Sequence, residues 1–289
     1  MYAIALKQEQ YKTYILSDQM TQSRLEVVPE RGGMITRWAV QGTEILYLDG
    51  DRFAKPELSV RGGIPILFPI CGNLPDDTYL HQGQSYTLKQ HGFARNLPWQ
   101  VGDRMTQDGV GITLNLESNE QTRSHYPFDF LLSLTYRLRG SMLTLHHRVE
   151  NRSEEPMPFS VGLHPYFWVA DKSQLQFDIP SHQFHDQRTG NMGTFPGRFD
   201  FEQDEIDVLF RNPSRPQTCL TDPTRGVKVQ IEFEPPYGEL VFWTVKGKDY
   251  CCLEPWSAPR NAMNTGDRLT ILPPGESLET SVRFIATLL

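Results

Sequence analysis

Apolar and polar residues alternate along most of the chain with a period of two residues. In residues 142–151, Leu143, Leu145, His147 and Val149 fall on one side, and polar or charged residues fall on the other. This period is typical of a β-strand that is buried on one face only. We therefore expect His147 to be a buried, hydrogen-bonded histidine of a sheet, and its neighbour His146 to face solvent.

The same alternation predicts strands from one end of the chain to the other. The predicted strands cover residues 2–16 (two strands), 25–28, 34–40, 45–48, 111–116, 128–139, 142–151, 227–233 and 280–286. Residues 240–245 are apolar on both faces, as expected of a strand in the middle of a sandwich. Helical spacing is confined to residues 118–125 and part of 203–210. With 22 glycines and 21 prolines for the turns, the pattern predicts an all-β protein, a large antiparallel β-sandwich that forms one domain over residues 1–289.

Composition and charge exclude several partners. The net charge is −7, and there is no basic run interleaved with aromatic residues, so we expect neither nucleic acid nor an anionic membrane as a partner. No segment has the apolar length of a spanning helix or the pattern of a signal peptide. The four cysteines form no CxxC pair and no disulfide framework, which favours a cytoplasmic protein. We expect a monomer or a weak dimer.

The stretch from Arg61 to Arg95 is the first candidate for a ligand site. It begins with RGGIPILFPICG (61–72) and ends with QHGFAR (90–95), so that two arginines and His91 border rigid, glycine- and proline-rich segments. Glycine allows close approach of a ligand to the backbone, and proline fixes a turn. Each residue taken singly could be structural. Together they predict a cleft in which arginines bind an anion or hydroxyl groups.

Three further residues are candidates for chemistry. His164 is the one polar residue in VGLHPYFWV (161–169), and Glu254 is the one carboxylate after the apolar run Cys251–Leu253. A partly desolvated histidine and a carboxylate at the end of a strand suit acid–base catalysis. The alternatives are a buried structural histidine and a carboxylate that caps a turn. Asp207 could bind a ligand hydroxyl or could begin a turn in a loop.

Metal, nucleotide and nucleophile chemistry find little support in the sequence. There is no HxH pair, no HExxH, no GxGxxG, no Walker loop and no GxSxG, so we expect no metal and no cofactor. An acid and a base of different type, without a nucleophile, suit proton transfer on a polar neutral ligand. The tryptophans offer faces on which sugar C–H groups could pack: Trp38, Trp99, Trp168, Trp243 and Trp256.

The motifs RGGIPILFP (61–69), QHGFAR (90–95), GLHPYF (162–167) and LEPW (253–256) together resemble the aldose 1-epimerase (mutarotase) family, in the family's order. The resemblance covers nearly the whole chain. It is nearest to the branch of hexose-6-phosphate mutarotases and lactose-operon mutarotase-like proteins. It implies a β-supersandwich of the galactose mutarotase type and interconversion of the α and β anomers of a sugar.

The resemblance also implies roles for single residues. Glu254 would be the base that takes the O1 proton, and His164 the acid that protonates the ring oxygen. His91, Arg61, Arg95 and Asp207 would bind the substrate. The first half of the chain is similar to the hexose-6-phosphate type, whose arginines bind the phosphate, and the segment after LEPW is similar to the lactose-operon-like branch. The substrate is thus a hexose or a hexose 6-phosphate. The alternative function is a non-catalytic carbohydrate-binding or regulatory protein on the same sandwich.

Overall fold

Strands make up most of the computed structural model, which describes residues 1–289. In the first part of the chain they are Tyr2–Gln8 (β1), Lys12–Asp18 (β2), Ser23–Val28 (β3), Met34–Val40 (β4), Thr43–Glu44 (β5), Ile66–Leu67 (β6), Thr78–His81 (β7), Gln84–Thr87 (β8), Gln100–Met105 (β9), Val110–Glu117 (β10), Phe130–Arg139 (β11), Met142–Asn151 (β12) and Met157–Phe159 (β13). In the second part they are Gly162–Leu163 (β14), Tyr166–Trp168 (β15), Gln176–Asp178 (β16), Gln183–Asp186 (β17), Met192–Thr194 (β18), Glu205–Arg211 (β19), Gln217–Asp222 (β20), Val227–Phe233 (β21), Glu239–Val245 (β22), Tyr250–Trp256 (β23), Thr270–Leu272 (β24) and Ser277–Leu288 (β25).

Helices are short and lie between the strands. The α-helices are Gly50–Phe53 (α1), Glu120–Arg123 (α2) and Ala262–Thr265 (α3), and the 3-10 turns are Pro75–Asp77, Ala94–Asn96 and Lys172–Gln174. The helix α2 falls within the predicted segment 118–125 and begins with a capping box on Asn119. None of the helices has the length and apolar character needed to cross a lipid bilayer.

The strands form three large antiparallel sheets. The first contains β1 to β5 in chain order, and the second has the order β16-β20-β21-β25-β12-β11-β10-β9. The third, which we call the site sheet, has the order β18-β17-β19-β22-β23-β14-β6, with β15 also paired to β23. Two small sheets, β13-β24 and β7-β8, complete the fold. The predicted antiparallel all-β architecture is confirmed.

One large core joins the three sheets. A cluster of 59 buried hydrophobic residues includes Leu25 from the first sheet, Leu145 from the second and Leu253 from the site sheet. On the outer face of the site sheet lies a second cluster of only nine residues, among them Cys252 and Trp256. Because β23 is apolar on both faces, its residues belong alternately to the main core and to this second cluster. The outer face of the site sheet is thus only partly covered and leaves room for a cleft.

Most predicted strands agree with the structure, and β12 and β21 agree to the residue. Residues 45–48, predicted as a strand, form only isolated bridges from Leu46 and Leu48. The helical turn predicted in residues 203–210 is wrong, because this segment is strand β19 and pairs with β22 over seven residues. Ile206, Val208 and Phe210 point into the core.

His147 is buried in the sheet, as predicted. Its side chain is 1% exposed, and Nδ1 lies 3.2 Å from the hydroxyl of Tyr237. Burial lowers the pKa of His147 to about 3. The neighbouring His146 is exposed on the opposite face. His147 therefore belongs to the core and lies apart from the cleft.

Candidate active site

The outer face of the site sheet carries a cleft of about 400 Å³, within the usual size range of small-molecule sites. All six residues predicted from the sequence line it: Arg61, His91, Arg95, His164, Asp207 and Glu254. They come from β19, β23 and the connections that follow α1, β8 and β14. The fold thus gathers residues that are up to 193 positions apart into one hollow.

His164 and Glu254 lie side by side at the base of the cleft. His164 follows β14 directly, and its backbone N–H donates to the carbonyl of Pro65. Glu254 lies in β23, which pairs with β14. The distance between His164 Nε2 and Glu254 Oε1 is 3.4 Å, and the side chains are 8% and 1% exposed. The other carboxylate oxygen, Oε2, accepts a hydrogen bond of 3.1 Å from the indole N–H of Trp256.

Burial favours the neutral form of both groups. It raises the pKa of Glu254 well above the usual value, while the Trp256 hydrogen bond and nearby arginines oppose the rise. Burial also lowers the pKa of His164 well below the usual value, and the positive charges of Arg95 and Arg61 lower it further. The imidazole stacks on Tyr166 with ring centroids 4.8 Å apart, which fixes its plane. This pair is poised to exchange a proton with a ligand.

His91 is held by the backbone of Gly72, and its ring lies beside that of His164 with centroids 5.6 Å apart. Its Nδ1 accepts a 3.1 Å hydrogen bond from the N–H of Gly72, and burial lowers the pKa of His91 well below the usual value. The neutral ring therefore carries its proton on Nε2, which is a donor. His91 adopts a left-handed backbone conformation, and the following residue must be Gly92 because a Cβ there would lie 2.2 Å from the carbonyl oxygen of Phe68.

The two predicted arginines have no carboxylate partner. The Arg61 guanidinium lies 4.9 Å from the ring centroid of Trp243 and 3.5 Å from the Tyr166 hydroxyl. Arg95 donates to the carbonyl of Gln90 at 2.8 Å. The other cleft arginines differ, since Arg188 and Arg260 form salt bridges with Glu205 and Asp207. Arg61 and Arg95 therefore leave the cleft with positive charge available to a ligand.

Asp207 lies in the middle of strand β19 rather than in a loop. Its Oδ2 accepts from Arg260 at 2.5 Å and its Oδ1 from Gln187 at 2.7 Å. Arg260 reaches Asp207 because its side chain crosses over Gly72, where a Cβ would lie 2.2 Å from Arg260 Cγ. Burial raises the pKa of Asp207, and Arg260 opposes this. A ligand hydroxyl would join a network that is already hydrogen-bonded.

Several cleft residues were not predicted from the sequence. Gln187 and Arg188 follow β17 in a polar turn, and no sequence pattern distinguishes them from other surface residues. Of the five tryptophans, Trp243 and Trp256 line the cleft. Trp38 and Trp99 are in the main core. Trp168 instead packs against Arg225.

Cys252 is a third potential metal ligand, buried beside His164 and Glu254. The donor atoms of His164, Cys252 and Glu254 all lie within 4.8 Å of one another. Burial raises the pKa of the Cys252 thiol well above its usual value. The sequence predicted no metal site because it lacks HxH and CxxC pairs, and proximity of this kind between distant residues becomes visible only in the folded chain.

Comparison with known proteins identifies the family. A family model described as Aldose 1-epimerase matches residues 17–284. The chain belongs to the aldose 1-epimerase family. A Salmonella typhimurium relative, whose name gives glucose-6-phosphate 1-epimerase as a proposed activity, is 30% identical over 180 residues, which are 59% of this chain and 56% of that protein. Protein LacX of Lactococcus lactis is 26% identical over 265 residues, 81% of this chain and 87% of LacX.

Two solved structures share the fold of this chain. The Slr1438 protein from Synechocystis sp. PCC 6803 is 46% identical with a TM-score of 0.95, and the match covers 100% of both chains. A galactose mutarotase-like protein from Clostridium acetobutylicum is 21% identical with a TM-score of 0.84, over 100% of this chain and 99% of that one. The predicted family and the galactose mutarotase-like sandwich are therefore confirmed.

Proposed function

We propose that this aldose 1-epimerase family member interconverts the α and β anomers of a hexose 6-phosphate, with His164 and Glu254 as the acid–base pair. Glu254 takes the proton of the anomeric hydroxyl O1 while His164 donates a proton to the ring oxygen O5. The C1–O5 bond breaks, its electron pair stays on O5, and O1 forms the aldehyde. Rotation about C1–C2 and the reverse proton transfers close the ring with the opposite configuration.

The 3.4 Å contact between His164 and Glu254 is the observation that carries this proposal. O1 and O5 are bonded to the same carbon, so groups that act on both at once must themselves be neighbours. The Nε2–H of His91 supplies a further donor beside the ring oxygen, and Trp256 holds the carboxylate in place. Positioned acid–base groups contribute about 10²–10⁴-fold each.

The unpaired arginines support a phosphorylated substrate. A phosphate between Arg61 and Arg95 would find charge-assisted donors that no protein carboxylate occupies. The phosphate would also change the ionisation of His164, because the positive charges of these arginines lower the pKa of that histidine. A bound phosphate dianion offsets that effect and raises the pKa of His164, which makes its protonated, acidic form more accessible. The substrate's phosphate thus assists the proton transfer to O5.

The acid–base roles are tested with two substitutions. We expect His164→Ala and Glu254→Gln each to reduce anomerisation of glucose 6-phosphate at least about 10²-fold, measured by saturation-transfer NMR. Glu205→Gln is the control, because it makes the same chemical change in the same cleft without touching His164. Full activity in the Glu254→Gln variant contradicts the proposal. Sugar binding by equilibrium dialysis, with no rate enhancement by the wild type, would instead identify a carbohydrate-binding protein.

The phosphate site is tested separately. We expect Arg61→Met and Arg95→Met to lower kcat/KM for glucose 6-phosphate at least about tenfold, since each removes a charge-assisted contact, while activity on glucose should not fall, because loss of the positive charge raises the pKa of His164. Added inorganic phosphate should raise the rate of the wild type on glucose and leave the Arg61→Met variant unaffected. Equal losses on both sugars would show that the arginines bind no phosphate.

A further inference from the structure

Cys252 is a buried thiol that the proposed mechanism does not use, and it lies directly beside the acid–base pair. Alternation along β23 places Cys252 and Glu254 on the same face, while Cys251 and Leu253 point into the main core. His164 reaches the same point from β14. The result is a set of one thiol, one imidazole and one carboxylate whose donor atoms lie within 4.8 Å of one another.

These three groups are the donors that Zn²⁺ and similar ions prefer. In a tetrahedral zinc centre the bonds are about 2.0 Å to nitrogen and about 2.3 Å to sulfur, so neighbouring donors lie about 3.5 Å apart. His164 and Glu254 already have this separation at 3.4 Å. The thiol lies within 4.8 Å of both other donor atoms, so it has to approach by about 1.3 Å at most to complete the tetrahedral arrangement. The fourth position then faces the cleft, as in zinc sites with an open coordination position.

The charge of the cleft also permits a metal ion. Metal ligands bind in their deprotonated form, so a bound divalent cation holds the thiol as a thiolate and the carboxyl as a carboxylate. These two negative charges offset the charge of the ion beside Arg61 and Arg95.

We propose that Cys252, His164 and Glu254 form an inhibitory site for Zn²⁺ or a similar soft divalent ion at the base of the cleft. The bound ion occupies the Nε2 and carboxylate positions that the sugar oxygens need, so metal and sugar compete. The binding of the ion is inferred from the separation of the three donor atoms. Its inhibitory effect, in contrast, rests on the proposed anomerase function.

The binding is tested by titrating Co²⁺ into the full-length, metal-free protein. We expect a near-ultraviolet thiolate-to-cobalt charge-transfer band and the strong visible bands of tetrahedral Co²⁺, both displaced by Zn²⁺. Cys252→Ala should lose the charge-transfer band, whereas the control Cys219→Ala, which removes a buried thiol far from the cleft, should keep it. Glu254→Gln should retain the fold, checked by circular dichroism, and bind Co²⁺ at least tenfold more weakly. A wild type without the band overturns the proposal, and so does a Cys252→Ala variant that keeps it.

The inhibition is tested with glucose 6-phosphate. Cys252→Ala should keep the metal-free rate within about twofold and need at least tenfold more Zn²⁺ for half inhibition. Equal sensitivity of wild type and variant contradicts the inhibitory role. Because Co²⁺ binding is read by absorption, a protein that binds the metal but shows no anomerase activity would refute the proposed function and leave the metal site standing.

Discussion

Trp256 is the side chain that donates a hydrogen bond to the carboxylate of Glu254. Its indole N–H donates to Oε2 at 3.1 Å, and it does so from two residues further along the same strand face. A donor to the charged form stabilises the carboxylate and lowers its pKa. Trp256 thereby opposes burial and the charge of Asp207, which raise the pKa of Glu254 and disfavour the base form.

Replacing Trp256 by Phe should move the pH dependence of the reaction. A hydrogen bond to the charged form lowers the pKa of a carboxyl, so its loss should raise the pKa of Glu254. Because the base form is needed, kcat/KM should fall below that of the wild type on the acidic side of the pH profile. Trp243→Phe is the control, because that indole donates to Glu205 instead. An unshifted profile would mean that Trp256 only fills space.

At the scale of elements, the segment before Arg61 depends on one buried side chain. Residues 45–63 contain only α1 and isolated bridges, yet Ser59, Val60 and Arg61 line the cleft. Arg31, which is 4% exposed, donates to the carbonyls of Lys55, Pro56 and Leu58 at 2.7–3.1 Å. These three contacts take the place of the backbone hydrogen bonds that a paired strand would have formed.

Replacing Arg31 by Lys should loosen this segment without touching the chemistry. An ammonium cannot reach three carbonyls in the planar arrangement of a guanidinium, so we expect KM to rise several-fold with kcat changed less than about twofold. Hydrogen exchange of residues 50–61 should become faster. Arg24→Ala is the control, since the exposed ion pair of Arg24 with Glu26 contributes about 1 kcal/mol or less to the free energy of unfolding. A fall in kcat without faster exchange would contradict this role.

The elements that could be predicted from sequence are those with a complete alternation or with a continuous apolar run, such as β22. The strand β12 has a fully alternating pattern and was found to the residue, whereas β19 was not, because the apolar Leu209 on its outer face breaks the alternation. Strands of two to four residues, such as β14 and β17, are too short for any period to show. They form because neighbouring strands pair with them, and a linear sequence does not display that context.

The same reasoning applies to the cleft. His164 and Glu254 could be predicted because each is an isolated polar residue in an apolar run. Gln187 could not be predicted, because it lies among other polar residues, and its role arises from a contact with Asp207. The nearness of Cys252 to His164 depends on the pairing of β14 and β15 with β23. Contacts across a sheet of this kind are a property of the fold.

For the whole molecule, His147 makes stability depend on pH. Its pKa is about 3 in the folded chain and about 6.5 when unfolded, so below pH 6.5 the unfolded state binds the extra proton. Stability is therefore fully present above about pH 6.5 and is lost as the pH falls towards 3. Between pH 7 and pH 5 this histidine alone should cost about 2 kcal/mol of unfolding free energy.

The His147→Gln variant should show a smaller loss of stability in acid. Glutamine keeps a polar partner for the Tyr237 hydroxyl but does not titrate. Urea unfolding at pH 7 and pH 5 should give a difference that is about 2 kcal/mol smaller than in the wild type. The exposed neighbour provides the control, and His146→Gln should retain most of the wild-type slope. If the unfolding free energy of wild type and His147→Gln falls equally between pH 7 and pH 5, His147 is not the cause of the loss of stability.

The position of β25 has a consequence for synthesis. This strand, residues 277–288, lies between β12 and β21 near the middle of its sheet, although the ribosome makes it after both of these neighbours. Until it emerges, two partial sheets present bare edges to the cell, and such edges recruit foreign strands. The strand β25 thus closes a seam between parts already made, and a nascent chain stalled before residue 277 is a natural client for chaperones.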